Sequence, residues 1–237
     1  QKRELEVEWE LDLAVSVPGC ARFRGNVIVQ RNSIAAVFRA IPFNIPELDK
    51  LGLPADVKRL CNLPRGLVLV TGPTGSGKST TLAAMLNYIN ARYETNIVTV
   101  EDPIEFLHTH KKSTIRQREI GTDTKSFANA LRTVLRHDPD TIMIGEMRDP
   151  ESIKIAVTAA ETGHLVFSTL HTQTAPLTIS RIIDSFPAEQ KAQIRSQLAN
   201  SLKAVISQQL IPTINGKGRV AAVEYMVDTP AIKNLIR

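Results

Sequence analysis

The chain has few cysteines, few aromatic residues and no long apolar run. Two cysteines, Cys20 and Cys61, occur in 237 residues, and their separation matches no metal-ligand spacing. A disulfide-stapled secreted fold is thereby excluded, and a reducing compartment is expected. Aromatic residues make up 5%, and they are not interleaved with basic ones. No platform for stacking bases follows from such a pattern, so no nucleic-acid partner is expected. The formal net charge of +5 would admit one, but the excess is scattered and reads as solvated surface. No apolar stretch approaches the roughly 20 residues of a membrane helix. Residues 1–6 are charged, unlike a signal peptide. The chain starts without Met and stops inside a helix-like stretch at Asn234, as a piece trimmed from a longer chain would.

Apolar residues are plentiful, at 43%, enough to bury a sizeable core in one large domain or one and a half. Residues 5–17 alternate apolar and polar side chains, as a half-buried strand does. Pro18-Gly19 marks a turn, and residues 21–30 and 33–39 read as two further strands. Residues 1–40 thus form a small antiparallel sheet, marginal by itself. Pro42, Pro46 and Pro54 punctuate residues 41–58, which read as a linker. From 59 to 237 strands alternate with helices, the pattern of a parallel α/β sheet. Buried strands are expected at 67–70, 96–100, 141–144 and 165–170. Residues 123–136 place Phe127, Ala130, Leu131, Val134 and Leu135 on one helix face. Asp149 and Pro150 suit a helix start, and Thr162 and Gly163 its end. Residues 190–208 read as one long amphipathic helix, and 215–218 as a hairpin turn.

The most specific signal is Gly72, Pro73, Thr74, Gly75, Ser76, Gly77, Lys78 and Ser79, which fit G-x-x-x-x-G-K-[ST]. An apolar strand precedes it, and a helical pattern beginning at Thr80 follows. The glycines let backbone N–H groups turn inward around phosphate oxygens, and the helix N-terminus adds partial positive charge. Lys78 would reach the β- and γ-phosphates of ATP, and the Ser79 hydroxyl would ligate Mg²⁺.

Three other strands end in groups that suit phosphoryl transfer. The strand at 96–100 delivers Glu101, Asp102 and Glu105, candidates to activate water. An acidic turn alone would be an ordinary solvated feature; beside a phosphate loop the balance reverses. The strand at 141–144 delivers Glu146, which could hold Mg²⁺ through water. Asp149 reads as a helix cap, and Arg148 could pair with it or reach phosphate. His164 and His171 bracket the strand at 165–170. His171 stands at the C-terminal end with the acids and is the candidate γ-phosphate contact; His164 reads as structural. Arginines can complete such a site from a neighbouring subunit, with Arg22, Arg24, Arg116, Arg118, Arg132 and Arg136 available. Arg22 and Arg24 would leave one face of a strand, facing either a nucleotide or solvent.

In order, residues 72–80, 99–106, 142–152 and 159–171 resemble the Walker A, Asp box, Walker B and His box of the secretion-type ATPases of type II secretion, type IV secretion and type IV pili. The resemblance spans essentially the whole chain and is nearest the pilus retraction branch. It implies a RecA-like P-loop core preceded by a partial PAS-like domain whose first part is lacking, as are the C-terminal helices of that branch. It implies that Glu105 is the general base, Glu146 organises Mg²⁺ and His171 senses the γ-phosphate. A homohexamer is implied, each N-terminal domain packing on the next subunit's ATPase domain. Its place would be the cytoplasmic face of the inner membrane, against a membrane platform protein. The function implied is an ATP-hydrolysing motor for pilus retraction. Extension and type II secretion ATPases usually carry a four-cysteine zinc insert after the long helix; here 209–218 contain no cysteine, so no such site exists. The alternatives are an extension or type II secretion ATPase, a nucleotide-gated switch without turnover, and a nucleic-acid-binding RecA-like module.

Overall fold

The computed structural model describes residues 2–17, 21–41 and 44–237. The expected turn at Pro18-Gly19, as well as Cys20 and Pro42, lies outside them. By their contacts, the residues divide into two units.

The first unit takes the N-terminal residues to Ile45 and, from further along, Glu105–Leu107. It opens with helix α1 (Lys2–Glu8), followed by β1 (Glu10–Val17), β2 (Ala21–Gln30) and β3 (Ser33–Ile41). The three strands form an antiparallel sheet in the order β1-β2-β3. The expected strand from residue 5 begins later, because 2–8 are strong helix formers with a Lys2–Glu6 pair one turn apart. Gly25 faces Phe38 across β2 and β3, and an added Cβ would meet the Phe38 ring at 2.6 Å.

The second unit runs through α2 (Val57–Leu60), β4 (Gly66–Thr71), α3 (Lys78–Arg92), β5 (Asn96–Glu101) and β6 (Thr114–Glu119). It continues with α4 (Phe127–Val134), β7 (Thr141–Ile144), α5 (Pro150–Glu161), β8 (Leu165–Leu170) and α6 (Ala175–Asp184). It closes with α7 (Ala188–Ser201), β9 (Leu202–Pro212), β10 (Arg219–Val227) and α8 (Pro230–Ile236). Its seven-stranded sheet has the order β10-β9-β4-β8-β7-β5-β6, and only the β9–β10 pair is antiparallel. The α/β expectation of a mostly parallel sheet with a separate antiparallel one therefore holds.

The four expected buried strands form, and the middle residues of each are almost wholly inaccessible, as in parallel sheets covered on both faces. Leu67, Leu69, Val100, Ile144 and Val166 join one core with helices α4 to α8. By alternation Val68 and Val70 turn to the other face, where α3 packs on β4.

Other elements depart from expectation. The helix expected over 190–208 ends at Ser201, and Leu202–Pro212 is strand β9, paired with β4. Ile194, Leu198, Leu202, Val205 and Ile206 keep helical spacing across the junction, so periodicity hides it. The three consecutive, fully buried residues Ala204, Val205 and Ile206 are what a strand between two others requires. Strand β6, with sequence TIRQRE, was too polar to signal itself; it is an edge strand, where charge prevents further pairing. Helix α4 is also shorter than 123–136. Ser126 caps it, accepting a hydrogen bond from the Asn129 N–H.

Candidate active site

In a parallel sheet all C-terminal strand ends face one edge, where ligands bind in open α/β folds. β4, β5, β7 and β8 are mutually parallel, so their ends bring the phosphate loop, Asp102, Glu146 and His171 to that edge.

Beyond Thr71 the chain enters the loop. Gly72 has φ +139°, and a Cβ there would lie 2.2 Å from the Gln208 carbonyl oxygen. Gly77, with φ +89°, is the N-cap of α3. Thr74 and Gly75 lie exposed at the loop tip beyond Pro73, whereas Ser76 is buried. Lys78, Ser79 and Thr80 form the first turn of α3. Lys78 is 8% exposed. Its Nζ donates to the carbonyls of Gly72 (2.9 Å) and Pro73 (3.0 Å), so the ammonium curls back over the loop.

From Lys78 a line of polar and charged groups crosses the strand ends. His171 Nδ1 lies 3.4 Å from Lys78 Nζ. His171 Nε2 lies 3.2 Å from Glu146 Oε1. Glu146 Oε2 accepts from Arg148 Nε at 2.7 Å, and Arg148 is 3.5 Å from Asp102. A His171 tautomer with its proton on Nε2 donates to the carboxylate and accepts from the ammonium at Nδ1. The hydrogen bond to Glu146 is the main reason the Arg148 guanidinium is raised further above its ordinary pKa. Arg148 thus pairs with Glu146 and Asp102, while Asp149 caps α5 by accepting from the Ser152 N–H at 2.8 Å. The turn carrying Glu146 is held from both sides. Gly145 N–H donates to Val100, and Thr169 Oγ1 donates to the Gly145 carbonyl.

The three acids at and beyond the end of β5 separate. Glu101 is buried and accepts from Thr99 (2.6 Å) and Gln117 (3.1 Å). Asp102 and Glu105 are exposed, and Glu105 belongs with the first unit. Arg22 and Arg24 also lie in the first unit, two residues apart on one face of β2; Arg24 pairs with Arg39 of β3. His164 hydrogen-bonds the Ala159 carbonyl (3.0 Å) at the opposite strand end.

Sequence reasoning missed the support behind the loop. Gln208 of β9 donates from Nε2 to the Ser76 carbonyl (2.7 Å) and accepts at Oε1 from Thr81 Oγ1 (2.9 Å). Beside it, Thr71 and Ser207 share a hydrogen bond of 2.8 Å between β4 and β9. The available signal was the β-branched pair Val205-Ile206 leading into polar residues, masked by the helical reading. Concavity alone would also have pointed elsewhere. An apolar groove of about 280 Å³ lies among α6, α7, β10 and α8, lined by none of the four motifs.

As oxygen donors for a hard cation such as Mg²⁺ the site offers the Ser79 hydroxyl and the Glu146 carboxylate. Among the described residues no group of three or more His, Cys, Asp or Glu could hold a metal. That donor set fits an ion bound through few side chains and shared with nucleotide phosphates.

Comparison with known proteins gives the family. The model of the family "Type II/IV secretion system protein" matches residues 14–234. The whole chain is 57% identical to the Type IV pilus retractation ATPase PilT of Pseudomonas aeruginosa, covering 69% of that protein. It is 54% identical to a twitching motility protein of Neisseria gonorrhoeae, covering 63% of it. The chain thus spans about two thirds of the length of these relatives. Among solved structures, the pilus retraction motor PilT with bound ADP superposes with a TM-score of 0.97 at 55% identity, over the whole chain and 69% of that structure.

Proposed function

The chain belongs to the type II/IV secretion system protein family, and from that premise we propose that it is the ATP-hydrolysing motor of pilus retraction. It is an ATPase, with the phosphate loop as its nucleotide site. The observation that carries this reading is the line Lys78–His171–Glu146–Arg148 assembled at one sheet edge beside the loop. Lys78 has its ammonium over the loop, within reach of phosphate oxygens. His171 links that lysine to Glu146, so loss of a γ-phosphate contact is felt at the carboxylate. Ser79 and Glu146 would hold Mg²⁺, which supplies charge neutralisation on the phosphates. Glu105 serves as general base, accepting the proton of the attacking water. The names of the two relatives, and a β9–β10 connection without cysteine, favour retraction over extension.

The working form is a homohexamer acting against a membrane platform protein at the cytoplasmic face. Ile34, Val37 and Phe38 of β3 support an assembly that covers them, being 67%, 74% and 55% exposed. Arg22 and Arg24 are the candidates to complete a nucleotide site within such an assembly. Among the described residues no helix is long and apolar enough to cross a membrane.

Glu105→Gln tests the assignment. ATP binding is expected to persist while hydrolysis falls by at least about 100-fold, as general bases contribute. Undiminished turnover would remove Glu105 from the mechanism.

A further inference from the structure

We propose that Gln208 is the positioning residue of the phosphate loop, holding the cradle in shape from behind. The proposal rests on the ATPase reading and adds to it a residue outside all four motifs. Gln208 lies on β9, one residue past the point where β9 pairs with the end of β4, and is 2% exposed. From there it meets the loop at three places. Its Nε2 donates to the Ser76 carbonyl, in the middle of the loop. Its Oε1 accepts from Thr81 Oγ1, in the first turn of α3. Its main-chain oxygen lies against Gly72, where the loop begins, so closely that no side chain fits between them.

The orientation of the amide follows from its partners. A carbonyl can only accept, so the atom facing Ser76 is the nitrogen, and the oxygen is left for the threonine hydroxyl. Both halves of the amide are therefore used, which neither a carboxylate nor an apolar side chain of that length can do. A phosphate loop binds through N–H groups that must converge on one ligand, so whatever fixes its carbonyls also fixes where those N–H groups point. Gln208 fixes the carbonyl of Ser76, two residues before Lys78. It also clamps the loop to α3, whose N-terminus faces the phosphates. Because Gln208 is in register with Val223 of β10, the clamp joins the loop to the β9–β10 hairpin. A distortion of that hairpin would therefore be passed to the loop.

The test measures ADP affinity and ATP kinetics for the parent protein, Gln208→Met, Thr81→Val and the double variant. Methionine keeps the length and removes both hydrogen bonds. For Gln208→Met the account predicts ADP affinity weakened by about tenfold, with KM for ATP rising in parallel and kcat within about twofold. A residue that merely stabilised the fold would lower the melting temperature of the nucleotide-free protein and leave the affinity of the folded fraction unchanged. Thr81→Val is predicted to weaken ADP binding about threefold alone and to add nothing in the Gln208→Met background, because both break one bridge. It carries the test if Gln208→Met does not fold. Parental affinity in a single variant, or additive losses in the double variant, would overturn the proposal. If the parent neither binds ADP nor hydrolyses ATP, the ATPase reading itself fails and the proposal with it.

Discussion

His108 illustrates how one partly buried side chain couples stability to pH. Burial, aided by the nearby Lys111 charge, lowers its pKa from 6.5 to about 4. The folded state therefore refuses a proton that the unfolded chain accepts below pH 6.5. Its contribution is complete above that value, is lost as pH falls through the window from 6.5 to about 4, and is constant below. His108→Gln removes the linkage. Urea unfolding at pH 7.5 and 4.5 should show the parent losing on the order of 2 kcal/mol more than the variant between the two. Equal losses would place His108 in an environment that accepts the charge. Cys61 is the complementary case: burial pushes its thiol up to about 12, so it stays protonated and inert. At this scale part of the candidate site was legible in the sequence. Lys78, Glu146 and His171 are brought into line because a parallel sheet collects its strand ends. The link from Glu146 to Arg148 was not legible, since residues two apart can point together or apart and only the turn decides.

At the scale of elements, the loop depends on what stands behind it. Gly72→Ala would force a Cβ to within 2.2 Å of a main-chain oxygen, at a φ of +139° that L-residues avoid. The predicted cost is about 2–4 kcal/mol, seen as a lower melting temperature together with lost nucleotide binding. Gly75→Ala is the control. Its φ of +78° is also left-handed, but nothing lies within 4 Å, so only about 1–2 kcal/mol is expected. Comparable losses in both would mean that backbone conformation, and not the approach of β9, sets the requirement at Gly72. The same strand marks the limit of sequence reading. Residues 190–206 satisfy a helical period throughout, and what ends the helix at Ser201 is the place reserved for a strand between β4 and β10. That is a tertiary demand, which local periodicity does not carry. Strand β6 escaped for the opposite reason: its polar side chains suit an edge and look like a loop.

At the scale of the whole molecule, the two units have unequal cores. The second buries an extensive apolar core around its sheet; the first buries little beyond Leu11, Val27 and Ile41. A three-stranded sheet with so small a core and several exposed apolar side chains is best stabilised by a partner. A ring in which each N-terminal unit packs on a neighbour would supply one. The sequence pattern changes over residues 41–58, from alternating strands to strand–helix alternation, and the contact units part between Ile45 and Pro46. The membership of Glu105–Leu107 in the first unit was not legible, because it depends on contacts distant in sequence.

The measurement that tests the account most directly is the Mg²⁺-dependent ATPase rate per subunit against protein concentration, with light scattering on the same samples. The account predicts a rate per subunit that rises as hexamers form, because the site is completed between subunits. A constant rate from a monomer, or no hydrolysis by well-folded hexamers, would contradict it.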